Sequence, residues 1–331
     1  MGLVMYMRKK IINIILDNNK EFISGEEISK QLGISRSAVW KHIKSLKEEG
    51  YNIESVNKKG YRLTEKPKDL LSFQNISHNL NTEFIGSNIL HFDTIDSTNT
   101  YAKKIASKET DGTVVISEEQ TLGRGRLGRT WDSKAYEGIW MSIILKPNIL
   151  PYKAPFLTII AGSSIAKALD NLGVSVGIKW PNDIILNGKK LCGILTELSA
   201  EIERVNYIVL GIGMNVKNLN FPSEIENIAT SLYKEGYNLS RVDIIREILC
   251  ELEKEYLEFL KCENKEKIID IYKQYSLVLG KNIYIVKNNE RELVKCVDIS
   301  LDGNLIVKKS DGTIEEIMSG EVSIRGEHGY V

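Results

Sequence analysis

Apolar positions recur along the chain with two alternating periods. In residues 24–49 (SGEEISKQLGISRSAVWKHIKSLKEE), Ile28 and Leu32 share one face of a first helix. Val39, Ile43 and Leu46 recur at i, i+4 and i+7 in a second. Ser24 and Glu27 have the spacing of a capping box, Gly33 breaks the first helix, Ile34 plugs the turn, Ser35 caps the second helix and Gly50 ends it. YNIESV and GYRL then alternate as two short strands around an Asn57-Lys58-Lys59-Gly60 tip. From His91 to Val216, strand-like runs (HFDTI, TVVISEE, IWMSIIL, SVGIKW, YIVLGIGMNV) alternate with helical patterns at 99–108 and 155–170, which predicts an α/β or α+β domain. A long helix follows over 241–262, with Ile244, Ile245, Ile248, Leu249, Leu252, Tyr256, Leu257 and Leu260 on its apolar side, and then a helix over 265–278. The tail (KNIYIV, ELVKCVDI, NLIVKK, TIEEIMSGEVSI) gives four or five short strands separated by Asn-Asn and Asp-Gly turns, the pattern of a small β-barrel.

A length of 331 residues accommodates two or three such domains, each with an ample core. The uncharged stretch 154–166 is too short to span a membrane, which needs about 18 to 20 apolar residues. The N-terminal apolar run is short and broken by Asn13, so it does not read as a secretory signal; a cytoplasmic protein is expected. Cys192, Cys250, Cys262 and Cys296 have no metal-ligand spacing with the histidines and read as reduced packing residues.

The formal net charge of zero conceals an asymmetry. Residues 1–66 carry 13 Lys and Arg against 8 Asp and Glu, a net +5 that leaves −5 for the rest. The polar face of the second helix presents Ser35, Arg36, Ser37, Trp40, Lys41 and Lys44, groups suited to a major groove. Lys58 and Lys59 at the hairpin tip suit a phosphate backbone or a minor groove. The segment therefore reads as a winged helix-turn-helix that binds DNA. Trp40 fits either a core position or a base contact, and Lys66-Pro67-Lys68 marks a linker.

Four segments of the central domain carry chemistry. GRGRLGRTW (123–131) matches G-x-G-x-x-G, but its glycines alternate with Arg124, Arg126 and Arg129 and no helix pattern follows. A mobile cationic loop fits better than a dinucleotide site, since glycine admits an anion to the backbone and arginine supplies bidentate donors. In KWPND-IIL-NG-KKLCGI, Asn187-Gly188 is a two-residue hairpin signal that brings Asp183 and Lys190 onto adjacent strands, and Gly193 interrupts the returning strand where a ligand can approach. In DSTN (96–99), Ser97 or Thr98 fits an N-cap, and GIGMN (211–215) closes an apolar strand. No P-loop, zinc-protease or serine-hydrolase motif is present.

Taken in order, the winged-helix start, DSTN, Gln120 with GRGRLGRTW, KWPND, GKKLCGI and GIGMN resemble the bifunctional biotin–protein ligases that double as the biotin operon repressor. The resemblance implies a winged helix-turn-helix DNA-binding domain at 1–66, a mixed-sheet catalytic domain at 67–278 and an SH3-like barrel at 279–331. It implies biotin, ATP and Mg2+ as reactants, with biotinyl-5'-AMP as both intermediate and corepressor. The implied partners are the biotin carboxyl carrier protein of acetyl-CoA carboxylase, operator DNA and, on adenylate binding, a second copy of the chain, with no membrane.

By resemblance, Arg126, Lys190 and Asp183 form the catalytic set, Asp183 orienting the incoming lysine amine. Ser97, Thr98, Asn99, Gln120, Gly123, Arg124, Arg126, Lys190, Gly193 and Gly211 would line the biotin pocket. Arg126, Arg129, Trp131, Asn182, Asp183, Lys190, Asn215 and Arg325 would serve the nucleotide, magnesium arriving with ATP and not fixed by side chains alone. Two other functions stay open: a ligand-sensing repressor without ligase activity, against which Arg126 and Lys190 argue, and a lipoate-type acyl ligase, against which GRGRLG and KWPND argue.

Overall fold

The computed structural model describes residues 7–8, 10–12, 14–15, 18, 21–48, 51–65, 69–262, 265–287, 290–319 and 323–326. Contacts divide the chain into two units, residues 1–78 and 79–331. The Lys66-Pro67-Lys68 segment and Gly50 lie outside the described residues.

In the first unit, α1 (Gly25–Leu32) starts at Ser24, whose hydroxyl accepts from the Glu27 amide, and stops at Gly33 in the left-handed region. Helix α2 (Arg36–Glu48) starts where the Ser35 hydroxyl accepts from the Ala38 amide at 3.2 Å. Ile28, Val39, Ile43 and Leu46 are buried together with Ile53 and Leu63 of the antiparallel hairpin β1 (Asn52–Val56) and β2 (Gly60–Glu65). Ile34 packs against this core from the turn, as its spacing predicts. A short helix, α3 (Phe73–Ser77), ends the unit.

The second unit is built on a seven-stranded mixed sheet. Strand β3 (Ile89–Ile95) crosses through α4 (Thr98–Ile105) to its parallel neighbour β4 (Val114–Gln120). The antiparallel β5 (Gly138–Leu145) follows, then α5 (Phe156–Asn171), which is nearly all buried. Strands β6 (Gly177–Lys179), β7 (Asp183–Leu186), β8 (Lys189–Ala200) and β9 (Val205–Asn215) complete the order β3-β4-β5-β9-β8-β7-β6. Strand β8 runs unbroken through Gly193, where an interruption was expected.

Helix α6 (Arg241–Cys262) lies against α5 and is followed by α7 (Lys265–Tyr275), shorter than the expected 265–278. The apolar side of α6 differs from the expectation too: Leu260 is exposed and Leu257 half-buried, whereas Phe259, Glu253 and Glu255 are buried. Glu253 is tolerated because its carboxylate accepts backbone N–H bonds from Glu83, Phe84 and Ile85 at 2.5, 2.9 and 2.7 Å. The tail forms a five-stranded antiparallel sheet of β10 (Asn282–Lys287), β11 (Glu290–Ile299), β12 (Leu305–Lys308), β13 (Ile314–Ile317) and β14 (Ser323–Gly326) in the order β13-β12-β11-β10-β14. The Trp180 indole N–H donates to the Gly303 carbonyl at 2.9 Å, which ties this sheet to the end of β6.

Candidate active site

A cavity of about 610 Å³ opens over the carboxyl ends of β4 and β9 and the first half of β8. Its extent is set by cross-strand register. Lys179 lies opposite Asp183, Asp183 opposite Gly193, and Gly193 opposite Gly213, so one row of side-chain positions runs over β6, β7, β8 and β9 on a single face. The two glycines leave a trough, and the Trp131 ring fills it. A Cβ at Gly193 would sit 2.9 Å from Trp131 Cζ3, and one at Gly213 would sit 2.7 Å from its Nε1. That indole N–H is buried without an acceptor in the protein, which leaves a donor for a ligand.

One end of the cavity is a neutral hydrogen-bonding floor. Ser97 caps α4, accepting from the Thr100 amide, which decides between the two N-cap choices at DSTN. Thr98 donates from its amide and hydroxyl to Gln120 Oε1 at 2.8 and 3.1 Å, and Gln120 Nε2 donates to Ser133 Oγ at 2.9 Å. Asn99 Oδ1 accepts from Ser142 Oγ at 2.6 Å, while its Nδ2 donates to Glu197 Oε2 at 2.9 Å. Gly211 makes room for that amide: a Cβ there would lie 2.1 Å from Asn99 Oδ1.

The other end is cationic. Segment 123–131 is held as a closed turn by Gly125 N–H to the Arg129 carbonyl at 2.8 Å and Trp131 N–H to the Gly123 carbonyl at 2.9 Å. It opens no helix, as the interleaved arginines predict; a single 3-10 turn spans Arg126–Gly128, with Leu127 at φ +56°. The Arg126 guanidinium donates to Asn182 Oδ1 at 2.6 Å and to the Ser319 carbonyl, in the turn just past β13, at 2.7 Å. The β7–β8 hairpin turns at Asn187-Gly188, both at positive φ, and brings Lys190 Nζ to 2.7 Å from Asp183 Oδ1 and 5.2 Å from the centre of a Trp131 ring. Arg124, Arg129 and Arg325 complete the cationic lining.

Crowding of positive charge in a buried place has a titration consequence. Burial pulls the Arg126 guanidinium below its usual range, with Asp183 opposing and Arg129 adding to the drop. Lys179, 3% exposed, is pushed down to about 7 by burial, with Asp183 opposing and Arg325, Lys190 and Arg129 adding to the drop. An anion placed among these groups relieves both. Among the described residues no three His, Cys, Asp or Glu side chains gather to hold a metal. Asp183 and Asp132 are the carboxylates lining the cavity, a donor set that suits magnesium carried on phosphate oxygens better than a caged ion.

Of the residues singled out in sequence, Ser97, Thr98, Asn99, Gln120, Arg124, Arg126, Arg129, Trp131, Asn182, Asp183, Lys190, Gly193, Gly211, Asn215 and Arg325 all line this one cavity. Gly123 does not. It is buried under the loop, where a Cβ would meet the Trp131 carbonyl at 2.3 Å and Ser133 Oγ at 2.7 Å, so it shapes the loop's exit. Lys179 and Gly213 lay within KWPND and GIGMN with no role of their own assigned, and missed in sequence was an irregular wall including Phe221, Ile225, Asn227, Ile228 and Ala229. Lys179 had a signal, a lysine between apolar Ile178 and Trp180, and so did Gly213, at period two from Gly211 in an apolar strand.

In the first unit Arg36, Ser37, Trp40, Lys41 and Lys44 share the exposed face of α2, opposite its buried stripe. Trp40, 56% exposed, belongs to that face and not to the core. Ser35 is engaged as the cap, with its hydroxyl 2.9 Å from Ser37 Oγ, and Lys58 and Lys59 stand exposed at the wing tip. Cys192, Cys250 and Cys296 are free thiols; the Cys262 side chain lies outside the described residues.

Residues 91–215 match the biotin/lipoate A/B protein ligase family, residues 8–62 a helix-turn-helix domain, and residues 278–325 the biotin protein ligase C-terminal domain. The chain is 39% identical over 323 residues to the bifunctional ligase/repressor BirA of Bacillus subtilis, covering 96% of this chain and 98% of that protein. It is 31% identical to the Escherichia coli protein of the same description, over 94% of this chain and 96% of that one. Among solved structures, the biotin protein ligase of Aquifex aeolicus in complex with biotin and ATP superposes with a TM-score of 0.63 at 30% identity, covering 73% of this chain and all of that one.

Proposed function

Because the chain belongs to the family of bifunctional biotin ligase/repressors, we propose that its cavity joins biotin to AMP and passes the biotinyl group to a lysine of the biotin carboxyl carrier protein. We place the polar floor around Thr98, Asn99 and Gln120 at the ring of biotin, and the cationic end at its carboxylate and the triphosphate. In the first step a carboxylate oxygen bonds to the α-phosphorus of ATP as the bond to the pyrophosphate oxygen breaks. Two anions must meet, so the chain's contribution is positioned positive charge from Arg126, Lys190 and Arg129, with no protein nucleophile. In the second step the carrier's amine attacks the carbonyl carbon of the mixed anhydride, the bond to the AMP oxygen breaks and AMP departs, the amine's proton passes to solvent, and Asp183 orients the attacking amine.

The observation that carries this reading is the meeting, in one cavity, of a neutral hydrogen-bonding end with a cluster of arginines and lysines around Asp183. Trp131, Asn182, Asn215, Arg325 and the apolar wall at 221–229 suit the nucleoside, and magnesium enters with ATP, neutralising phosphate charge. Closure of loop 123–131 keeps water from the anhydride. The exposed face of α2 and the wing lysines suit operator DNA, and biotinyl-5'-AMP would act as corepressor by promoting a dimer. The reaction reads as cytoplasmic; among the described residues no helix is long and apolar enough to cross a membrane.

Incubating the protein with biotin, ATP, magnesium and the carrier domain tests the reading by mass spectrometry. One biotinyl adduct on a single carrier lysine is expected. Modification by lipoate and not by biotin would overturn the substrate assignment, and no modification with retained biotin-responsive operator binding would leave a repressor alone.

A further inference from the structure

The cavity wall at 221–229 has no regular secondary structure, yet its position relative to Lys190 is defined. Lys190 N–H donates to the Ile228 carbonyl at 2.7 Å, and Thr230 N–H donates to the Lys190 carbonyl at 3.0 Å, a one-bridge parallel pairing of wall and strand. A single bridge between an irregular segment and the first residues of a hairpin strand is a weak joint. Beside it stands Glu235. Its Oε1 accepts from Thr230 Oγ1 at 2.5 Å, and its Oε2 accepts from Asn187 Nδ2 at 2.6 Å. Asn187 occupies the hairpin turn at φ +49°, next to Gly188, which lines the cavity. The backbone of Glu235 is itself anchored, its N–H donating to the Ser231 and Leu232 carbonyls at 3.2 Å. One carboxylate therefore clamps the hairpin tip to the end of the wall, with the Lys190 bridge between them.

We propose that Glu235 is a positioning residue that sets the gap between the Lys190 hairpin and the wall, and thereby the affinity for the nucleotide. It does not line the cavity, so it acts through Asn187 and Thr230. The inference rests on reading this end of the cavity as the nucleotide end. The biotin floor of Thr98, Asn99 and Gln120 is built on α4 and β4, and none of these three side chains bonds Glu235, Asn187 or Thr230. Lys190 Nζ is held separately by Asp183. Loss of the clamp thus weakens ATP binding and leaves biotin binding alone.

The test is biotin-dependent exchange of pyrophosphate into ATP, measured for the full-length protein, Glu235→Ala, Asn187→Gly and the double variant, with melting temperatures alongside. Glycine at 187 keeps the left-handed turn while removing the amide. KM for ATP should rise about 5- to 20-fold in each single variant, with KM for biotin within about twofold, and the double variant should be no worse than the larger single one. Glu235→Gln, which keeps one acceptor, should fall between wild type and Glu235→Ala. Unchanged KM for ATP, parallel rises in both KM values that follow lost stability, or multiplying effects in the double variant would each overturn the proposal. Wild-type protein without any biotin-dependent exchange would instead overturn the reading of the site.

Discussion

Replacing Lys190 by glutamine separates chemistry from folding. In the structure its ammonium, near the start of β8, sits 2.7 Å from Asp183 Oδ1, with side-chain exposures of 23% and 13% for the pair. Glutamine retains a donor for Asp183 but loses the charge. The structural cost is that of a partly buried ion pair weakened to a neutral hydrogen bond, about 1 kcal/mol, because Asp183 still faces the positive charge of Arg126. The catalytic cost is larger. A donor aimed at charge that develops during the reaction contributes about 3 to 4 kcal/mol, or about 10²- to 10³-fold in rate. Lys190→Gln should therefore lower kcat for pyrophosphate exchange by about two to three orders of magnitude while shifting the urea midpoint by only the equivalent of about 1 kcal/mol. A loss of exchange no larger than the loss of folded protein would refute the reasoning and return Lys190 to a structural role.

Three further outcomes follow from named contacts. Gly193→Ala places a methyl 2.9 Å from the Trp131 ring and 3.1 Å from Lys190 Cε, so Trp131 must shift; its fluorescence should change and biotinyl-5'-AMP should dissociate at least several-fold faster, whereas unchanged release would contradict the trough. Glu255, 4% exposed, is raised to about 7 by burial, with the hydrogen bond from Ser163 opposing. A carboxyl raised in the folded state destabilises it as pH climbs from 4.5 to about 7, so Glu255→Gln should gain about 1 to 3 kcal/mol at pH 8 and nothing near pH 4.5, read by denaturant titration. Lys41→Ala on the exposed face of α2 should weaken operator binding and flatten the plot of log K against log salt by about one, and an unchanged slope would remove Lys41 from the interface.

Much of the site was legible because its parts are local. An Asn-Gly turn fixes a two-residue hairpin, and that alone brings Asp183 and Lys190 together; alternating glycine and arginine in 123–131 excludes a helix and forecasts a cationic turn. The exposed face of α2 follows from the i, i+4, i+7 stripe opposite it. Distant pairings were not legible. The wall at 221–229 has no period and is placed by one bridge to Lys190, and Ser319 reaches Arg126 across 193 positions. On α6, buried Glu253 and Glu255 break the apolar pattern, Glu253 satisfied by backbone amides at 83–85 and Glu255 bonded at one oxygen by the Ser163 hydroxyl, which no helical wheel reveals. Gly123 carried the motif but packs under the loop, since spacing gives the glycine and not the direction its Cα faces.

The central claim is that one cavity activates biotin with ATP through clustered cations. Exchange of labelled pyrophosphate into ATP, run with biotin, with lipoate and with no acid, tests it most directly. Exchange with biotin alone, lost in Arg126→Ala and Lys190→Gln, is the predicted result; exchange that ignores biotin, or that survives both substitutions, contradicts it.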